Sequence, residues 1–178
     1  MPVPFLDLKA QYRSIKPEID AAMQAVVDKC AFAGGPYVEQ FEKEFAAYCG
    51  AKYCVGLASG TAALELPLRA YDIGAGHEVI TVTNSFFASA EAISLAGATP
   101  VLVDCRADDA LIDVSQIEKA ITSKTAAIIP VHLYGQPADM DAIHAIAKKH
   151  KLIVIEDACQ AVGAEFADGR GNWFNAST

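Results

Sequence analysis

The stretch HEVITVTNSFFASAEAISLAGATPVLVD, residues 77–104, decides the fold. Two short runs rich in β-branched residues, HEVITV and TPVLVD, flank FASAEAISLAG, whose apolar residues recur at helical spacing. The reading is strand, helix, strand. Both strands are apolar along their length, which fits a sheet covered on its two faces, and a helical crossover between them makes them parallel.

Working outward from this unit, the same alternation continues. Downstream come a helix in VSQIEKAITS (114–123), a strand in AAIIPVH (126–132), a helix in MDAIHAIAKKH (140–150) and a strand in KLIVIED (151–157). Upstream, KYCVGLA (52–58) reads as a strand and TAALELPLRAY (61–71) as a helix. Five apolar strands separated by helices predict an α/β fold with a mostly parallel sheet flanked by helices. Before them, PEIDAAMQAVVDKC and VEQFEKEFAAYCG have helical periodicity and are separated by the breaker AFAGGPY. The expected organisation is a helical N-terminal arm, 1–49, followed by an α/β part, 50–178.

Composition narrows the function. The 178 residues, 53% hydrophobic and 20% charged, suffice for one core but hardly two. With 14 basic against 22 acidic side chains the formal charge is −8, which opposes nonspecific attraction to nucleic acid or an anionic membrane. Any phosphate must be held locally. No apolar run reaches the ~20 residues that span a bilayer, and the opening MPVPFLDLKAQY has no signal-type segment, so a cytoplasmic location is expected. The five cysteines form neither a CxxC pair nor a Cys/His cluster at ligand spacing. They read as reduced small hydrophobes, and no metal is expected.

Three strand ends carry the chemistry. LIVIEDACQAVGA (152–164) ends an apolar run in two adjacent carboxylates, Glu156 and Asp157. Ligands of parallel sheets bind beyond the carboxyl ends of the strands, so Asp157 stands where a functional acid would; a solvated loop acid is the alternative. In VGLASGTAALELPL (55–68), Ser59, Gly60 and Thr61 open a helix whose free N–H groups form an anion site, unless the two hydroxyls merely cap it. In VTNSFFASAEA (82–92), one of Phe86 and Phe87 is expected in the crevice and the other in the core, with core packing of both as the alternative. A phosphate seat, a stacking ring and a buried carboxylate together suit a phosphorylated pyridine cofactor. An anion at the pyridine nitrogen keeps it protonated, so that the ring can serve as an electron sink.

Six stretches, PFLDLKAQY, GGPYVEQFEKEFAAYCG, ASGTAALEL, GAGHEVITVTNSFFASAEAISLAGATPVLVD, IIPVHLYGQPADMDAI and VIEDACQAVGA, resemble the DegT/DnrJ/EryC1/StrS family in order and spacing, to about Gly171. The resemblance implies a PLP-dependent aminotransferase of fold type I. Such an enzyme aminates a nucleotide-linked keto sugar from an amino-acid donor such as glutamate, in the biosynthesis of sugars, cell-surface polysaccharides or antibiotics, and works as a homodimer. It further implies that Gly60, Thr61 and Ala62 lie at the cofactor phosphate and that Phe86 stacks on the pyridine ring. Asp157 would be the catalytic partner of the pyridinium nitrogen, and Gln160 would reach the 3-hydroxyl side. Glu156 carries no such role in the family.

The sequence also departs from the family. The Schiff-base lysine of these enzymes follows the ED-x-x-Q segment, whereas this chain ends at FADGRGNWFNAST and places no lysine at a strand's carboxyl end near Asp157. The expectation is an incomplete large domain without that lysine or the C-terminal small domain, inactive in isolation. A noncatalytic PLP-binding or dimerisation module is the alternative. A nucleotide-dependent oxidoreductase loses its support because neither GxGxxG nor a Walker A loop occurs. Pro67 should bend the helix after the phosphate turn, His132 reads as a hydrogen-bonding structural histidine, and His77 as a loop residue.

Overall fold

Val79, Ile80 and Val82 are β-branched and lost from solvent, and they make Glu78–Val82 an interior strand, β1, of a four-stranded sheet. The computed structural model describes residues 3, 5–167 and 173–176. Parts of PFLDLKAQY and FADGRGNWFNAST therefore lie outside the described residues, as does Gly171. The remaining strands are β2 (Thr99–Val103), β3 (Thr125–Ile129) and β4 (Ile153–Val154), in spatial order β2-β1-β3-β4 and all parallel. Ile80 stands between Val101 and Ile128, and Ile128 lies beside Val154.

The chain divides into two units, residues 1–47 with 52–56, and residues 48–51 with 57–178. The first is helical. Helix α1 (Leu8–Asp28) starts on Asp7, whose carboxylate accepts the Ala10 N–H at 2.9 Å, and it buries none of its residues. Helix α2 (Pro36–Cys49) follows the Gly34–Gly35 turn, where both glycines have positive φ.

Segment 52–58 corrects the sequence reading, because it is not a strand. Tyr53, Val55 and Leu57 alternate as strand residues do, yet all three are exposed, and no strand among the described residues pairs with them. The Gly56 N–H instead donates to Glu42 Oε1 at 2.7 Å. A strand exists only where a neighbour completes its ladder, and alternation alone does not supply one.

In the second unit the sheet is covered on both faces. Ile80, Val82, Val103 and Ile128 pack with Ile117 of α5 (Val114–Ala120) and with Met140 and Ile143 of α6 (Met140–His150). Val79, Ala127 and Ile129 pack with Leu64 and Leu68 of α3 (Gly60–Ala70) and with Ile93 of α4 (Ala88–Leu95). Successive strand residues thus enter opposite cores, which is why the strands read as apolar throughout. Helix α3 runs on through Pro67. The last elements, β5 (Glu165–Ala167) and β6 (Trp173–Asn175), form an antiparallel pair.

Candidate active site

The chain turns to one side of β1 to reach β2 and then crosses to the other side for β3 and β4. Such a reversal leaves a crevice outside the carboxyl ends of the strands, and here it holds a cavity of about 380 Å³. Its lining comes from the start of α3, from the β1–α4 turn and from the segments beyond β3 and β4.

Asp157 is the cavity's buried acid, with 8% of its surface exposed. Beyond β4 the backbone stays tied to the β3 side: the Asp157 N–H donates to the Pro130 carbonyl at 2.9 Å, and the His132 N–H donates to the Asp157 carbonyl at 3.0 Å. The side chain is held as well. Oδ2 accepts from Ser89 Oγ at 3.1 Å, and Oδ1 accepts from the Cys159 N–H at 3.2 Å. One donor on each oxygen fixes the plane of the carboxylate and leaves acceptor capacity for a ligand.

Glu156 is turned to another task. His132 is fully buried; its Nδ1 accepts the Ala138 N–H at 3.1 Å, so Nε2 carries the proton and donates to Glu156 Oε2 at 2.8 Å. This histidine is structural, and Glu156 is its partner. His77 is also local, its Nδ1 accepting the Gly74 N–H at 3.2 Å in the turn before β1.

At the start of α3, Ser59 is the N-cap and accepts the Ala62 N–H at 3.2 Å. The N–H groups of Gly60 and Thr61, both lining the cavity, make no hydrogen bond among the described residues. These are the orphan donors of a helix start, and the helix dipole favours an anion before them. Ala62 is outside the lining, and its N–H is taken by the cap. Gly60 stands close to the thiol of Cys159: a Cβ there would lie 3.2 Å from Sγ.

Phe86 lines the cavity with 76% of its surface exposed, and Phe87, outside the lining, is 71% exposed. Neither ring enters the core, which corrects both sequence readings of this pair. The β1–α4 turn carries the two side chains outward, and the core beneath is already filled by Ala88, Ala92 and Ile93. Gln160 offers a polar edge: its Oε1 accepts the Tyr134 N–H at 2.8 Å, so the side-chain NH2 is left to donate. Tyr134 itself sits in the left-handed region, at φ 57°.

Sequence reasoning missed Ser89 and Cys159. Ser89 reads as one more small residue in an alanine-rich helix, and nothing in its spacing shows that its hydroxyl meets a carboxylate 68 positions away. Burial and then the Asp157 carboxylate push the Cys159 thiol up from its ordinary pKa. Among the described residues no three His, Cys, Asp or Glu side chains gather as a metal site, and no helix is long and apolar enough to cross a membrane.

The cavity brings together two free amides, an exposed ring, a buried carboxylate and an amide donor, a set whose chemistry fits pyridoxal phosphate. Residues 13–176 match the model of the DegT/DnrJ/EryC1/StrS aminotransferase family. Over 168 residues, 94% of the chain, it is 49% identical to the dTDP-3-amino-3,4,6-trideoxy-alpha-D-glucose transaminase of Streptomyces venezuelae, covering 44% of that protein. It is 46% identical, again over 168 residues and 94% of the chain, to the UDP-2-acetamido-2-deoxy-3-oxo-D-glucuronate aminotransferase of Pseudomonas aeruginosa, covering 47% of it. The fold superposes with a TM-score of 0.86 on the crystal structure of NtdA from Bacillus subtilis with bound cofactor PMP, at 41% identity, over 90% of this chain and 37% of that one. The chain thus spans less than half the length of the curated relatives it matches.

Proposed function

This chain belongs to the DegT/DnrJ/EryC1/StrS aminotransferase family, and from that premise we propose that it supplies the cofactor cradle of an enzyme that aminates a nucleotide-linked keto sugar. The observation that carries this reading is the buried Asp157 carboxylate, held by Ser89 and Cys159 at the strand reversal, opposite a helix start with two free amides. In the bound state pyridoxal phosphate supplies an electron sink for the substrate carbon that exchanges its amino group. The chain's own residues form the cradle. Gly60 and Thr61, with Ala62 behind them, seat the phosphate, Phe86 flanks the ring, Asp157 keeps the ring nitrogen protonated, and Gln160 donates toward the 3-oxygen.

The finer parts of the proposal rest on separate supports. A dTDP- or UDP-linked sugar is favoured by what the similar proteins act on by name, and glutamate as donor by the family. A homodimer is favoured by the exposed stripe Leu8, Tyr12, Ile15, Ile19, Met23 and Val27 on α1, whose spacing keeps them on one face. A cytoplasmic setting agrees with the absence of a disulfide among the described residues. One observation favours a second reading, a PLP-binding or dimerisation module without turnover: no lysine is among the residues lining the cavity.

Titration of the chain with pyridoxal phosphate, followed by near-ultraviolet circular dichroism, tests the cradle. Reversible binding that Asp157→Asn weakens is expected; absence of binding at millimolar cofactor overturns the reading. Turnover is tested in a chimera that joins this chain to the C-terminal remainder of the Streptomyces venezuelae relative. Amino transfer from glutamate to a dTDP- or UDP-linked keto sugar, read by product mass, supports the enzyme. Cofactor binding without transfer supports the module.

A further inference from the structure

Ser89 does something unusual for a serine in a helix. Ser94, on the same helix α4, returns its hydroxyl to the Ala90 carbonyl one turn back, at 3.1 Å. Ser89, with 1% of its surface exposed, instead sends its proton out of the helix to Asp157 Oδ2 at 3.1 Å. Its oxygen lies 2.8 Å from Ser85 Oγ. A hydroxyl has one proton, and that of Ser89 is committed to the carboxylate, so Ser85 is the donor in the second contact. The direction of the chain is Ser85 to Ser89 to Asp157.

We propose that Ser89 is a positioning residue: with Ser85 behind it, it sets the orientation of the Asp157 carboxylate toward the cofactor ring and couples that carboxylate to the turn that carries Phe86. The inference rests on the reading of Asp157 as partner of the ring nitrogen. The physical basis is the count of donors on the acid. Oδ1 has the Cys159 N–H and Oδ2 has Ser89, so removing the Ser89 hydroxyl frees one oxygen and lets the plane rotate about its remaining anchor. Ser85 directly precedes Phe86 in the lining, so the same two hydroxyls also hold the ring's turn against the acid. A charge-assisted contact is sensitive to such rotation, because its strength depends on alignment as well as distance.

The test uses this chain and two probes, pyridoxamine phosphate and its 1-deaza analogue, in which the ring nitrogen is replaced by carbon. Ser89→Ala is expected to weaken pyridoxamine phosphate by about three- to tenfold, in line with the loss of one hydrogen bond to a charged group. It should leave the analogue unchanged, since the analogue has no ring nitrogen to align with. Ser89→Thr, which keeps the hydroxyl, should bind as the unmodified chain does. Ser85→Ala, at a less buried position, should show the same selective loss on a smaller scale, and it keeps the inference open to refutation if Ser89→Ala does not fold. Equal loss for both probes would make Ser89 a packing residue and overturn the proposal. So would undiminished affinity in Ser89→Ala alongside selective loss in Asp157→Asn. If Asp157→Asn also fails to distinguish the probes, the reading of Asp157 falls and takes this inference with it.

Discussion

Glu156 Oε2 accepts the Nε2 proton of the buried His132 at 2.8 Å, while its neighbour Asp157 takes its hydrogen bonds from Ser89 and Cys159 at the cavity. Two carboxylates adjacent in sequence therefore have separate surroundings, one holding the segment beyond β3 and the other facing the cavity.

The first of these roles predicts a stability effect without a binding effect. His132→Phe leaves the buried Ala138 N–H without its acceptor and the part-buried Glu156 without its donor, and losses of this kind cost about 1–3 kcal/mol together. Glu156→Gln keeps an acceptor for the Nε2 proton and should cost no more than about 1 kcal/mol. Urea unfolding midpoints compare the two. A Glu156→Gln loss as large as that of His132→Phe would show that the charge of Glu156, and not its acceptor oxygen, stabilises the segment.

The second role predicts a chemical effect with little structural cost. In Asp157→Asn the side-chain oxygen still accepts the Cys159 N–H, and the new NH2 group donates to Ser89 Oγ, whose proton is free to rotate away. The fold should survive while the charge is lost. A charge-assisted hydrogen bond is worth ~1.5–3 kcal/mol and each 1.36 kcal/mol is tenfold in rate, so single-turnover transamination in the chimera should slow roughly ten- to a hundredfold at saturating pyridoxal phosphate. An unchanged rate would remove Asp157 from the chemistry.

Much of this was legible from residues alone, and the parts that were not share a physical cause. The strands around β1 are written in β-branched runs, and α3 starts on the cap Ser59, all of them local signals. The place of Asp157 at the cavity was legible because ligand crevices of parallel sheets lie beyond the ends of apolar strands. Segment 52–58 misled because strand character is completed by a partner that its own residues do not encode. Phe86 and Phe87 misled because hydrophobicity predicts burial only where space is left, and Ala88, Ala92 and Ile93 had taken it. Ser89 was invisible because its meaning lies in a contact across 68 residues.

Cys159 should titrate late. Its thiol is pushed up first by burial and next by the Asp157 carboxylate, so the thiolate fraction at a given pH is lower than in the unfolded chain. The midpoint of iodoacetamide labelling against pH, read by peptide mass, should be higher in the folded chain than in urea. Asp157→Asn should bring it down only part of the way, since burial remains. A midpoint that does not move between folded and unfolded chain would contradict this environment for the sulfur.

Gly60 and Cys159 should behave as a coupled pair. Gly60 does not have the left-handed backbone that excludes other residues, so alanine there meets no conformational barrier, and at a helical position alanine is intrinsically favoured. What opposes it is Cys159 Sγ, 3.2 Å from the new methyl, closer than a carbon and a sulfur comfortably approach. Gly60→Ala alone should therefore cost about 1–2 kcal/mol as the thiol is displaced toward the cavity. It should also weaken pyridoxal phosphate, because the displaced sulfur enters the space before the free amides of Gly60 and Thr61. Cys159→Ala removes the obstacle, so Gly60→Ala made on that background should be neutral or stabilising. A cycle of thermal melts and cofactor titrations over the two single variants and the double variant measures the coupling. Additive effects would mean that the phosphate seat needs Gly60 for a reason other than the approach of the thiol.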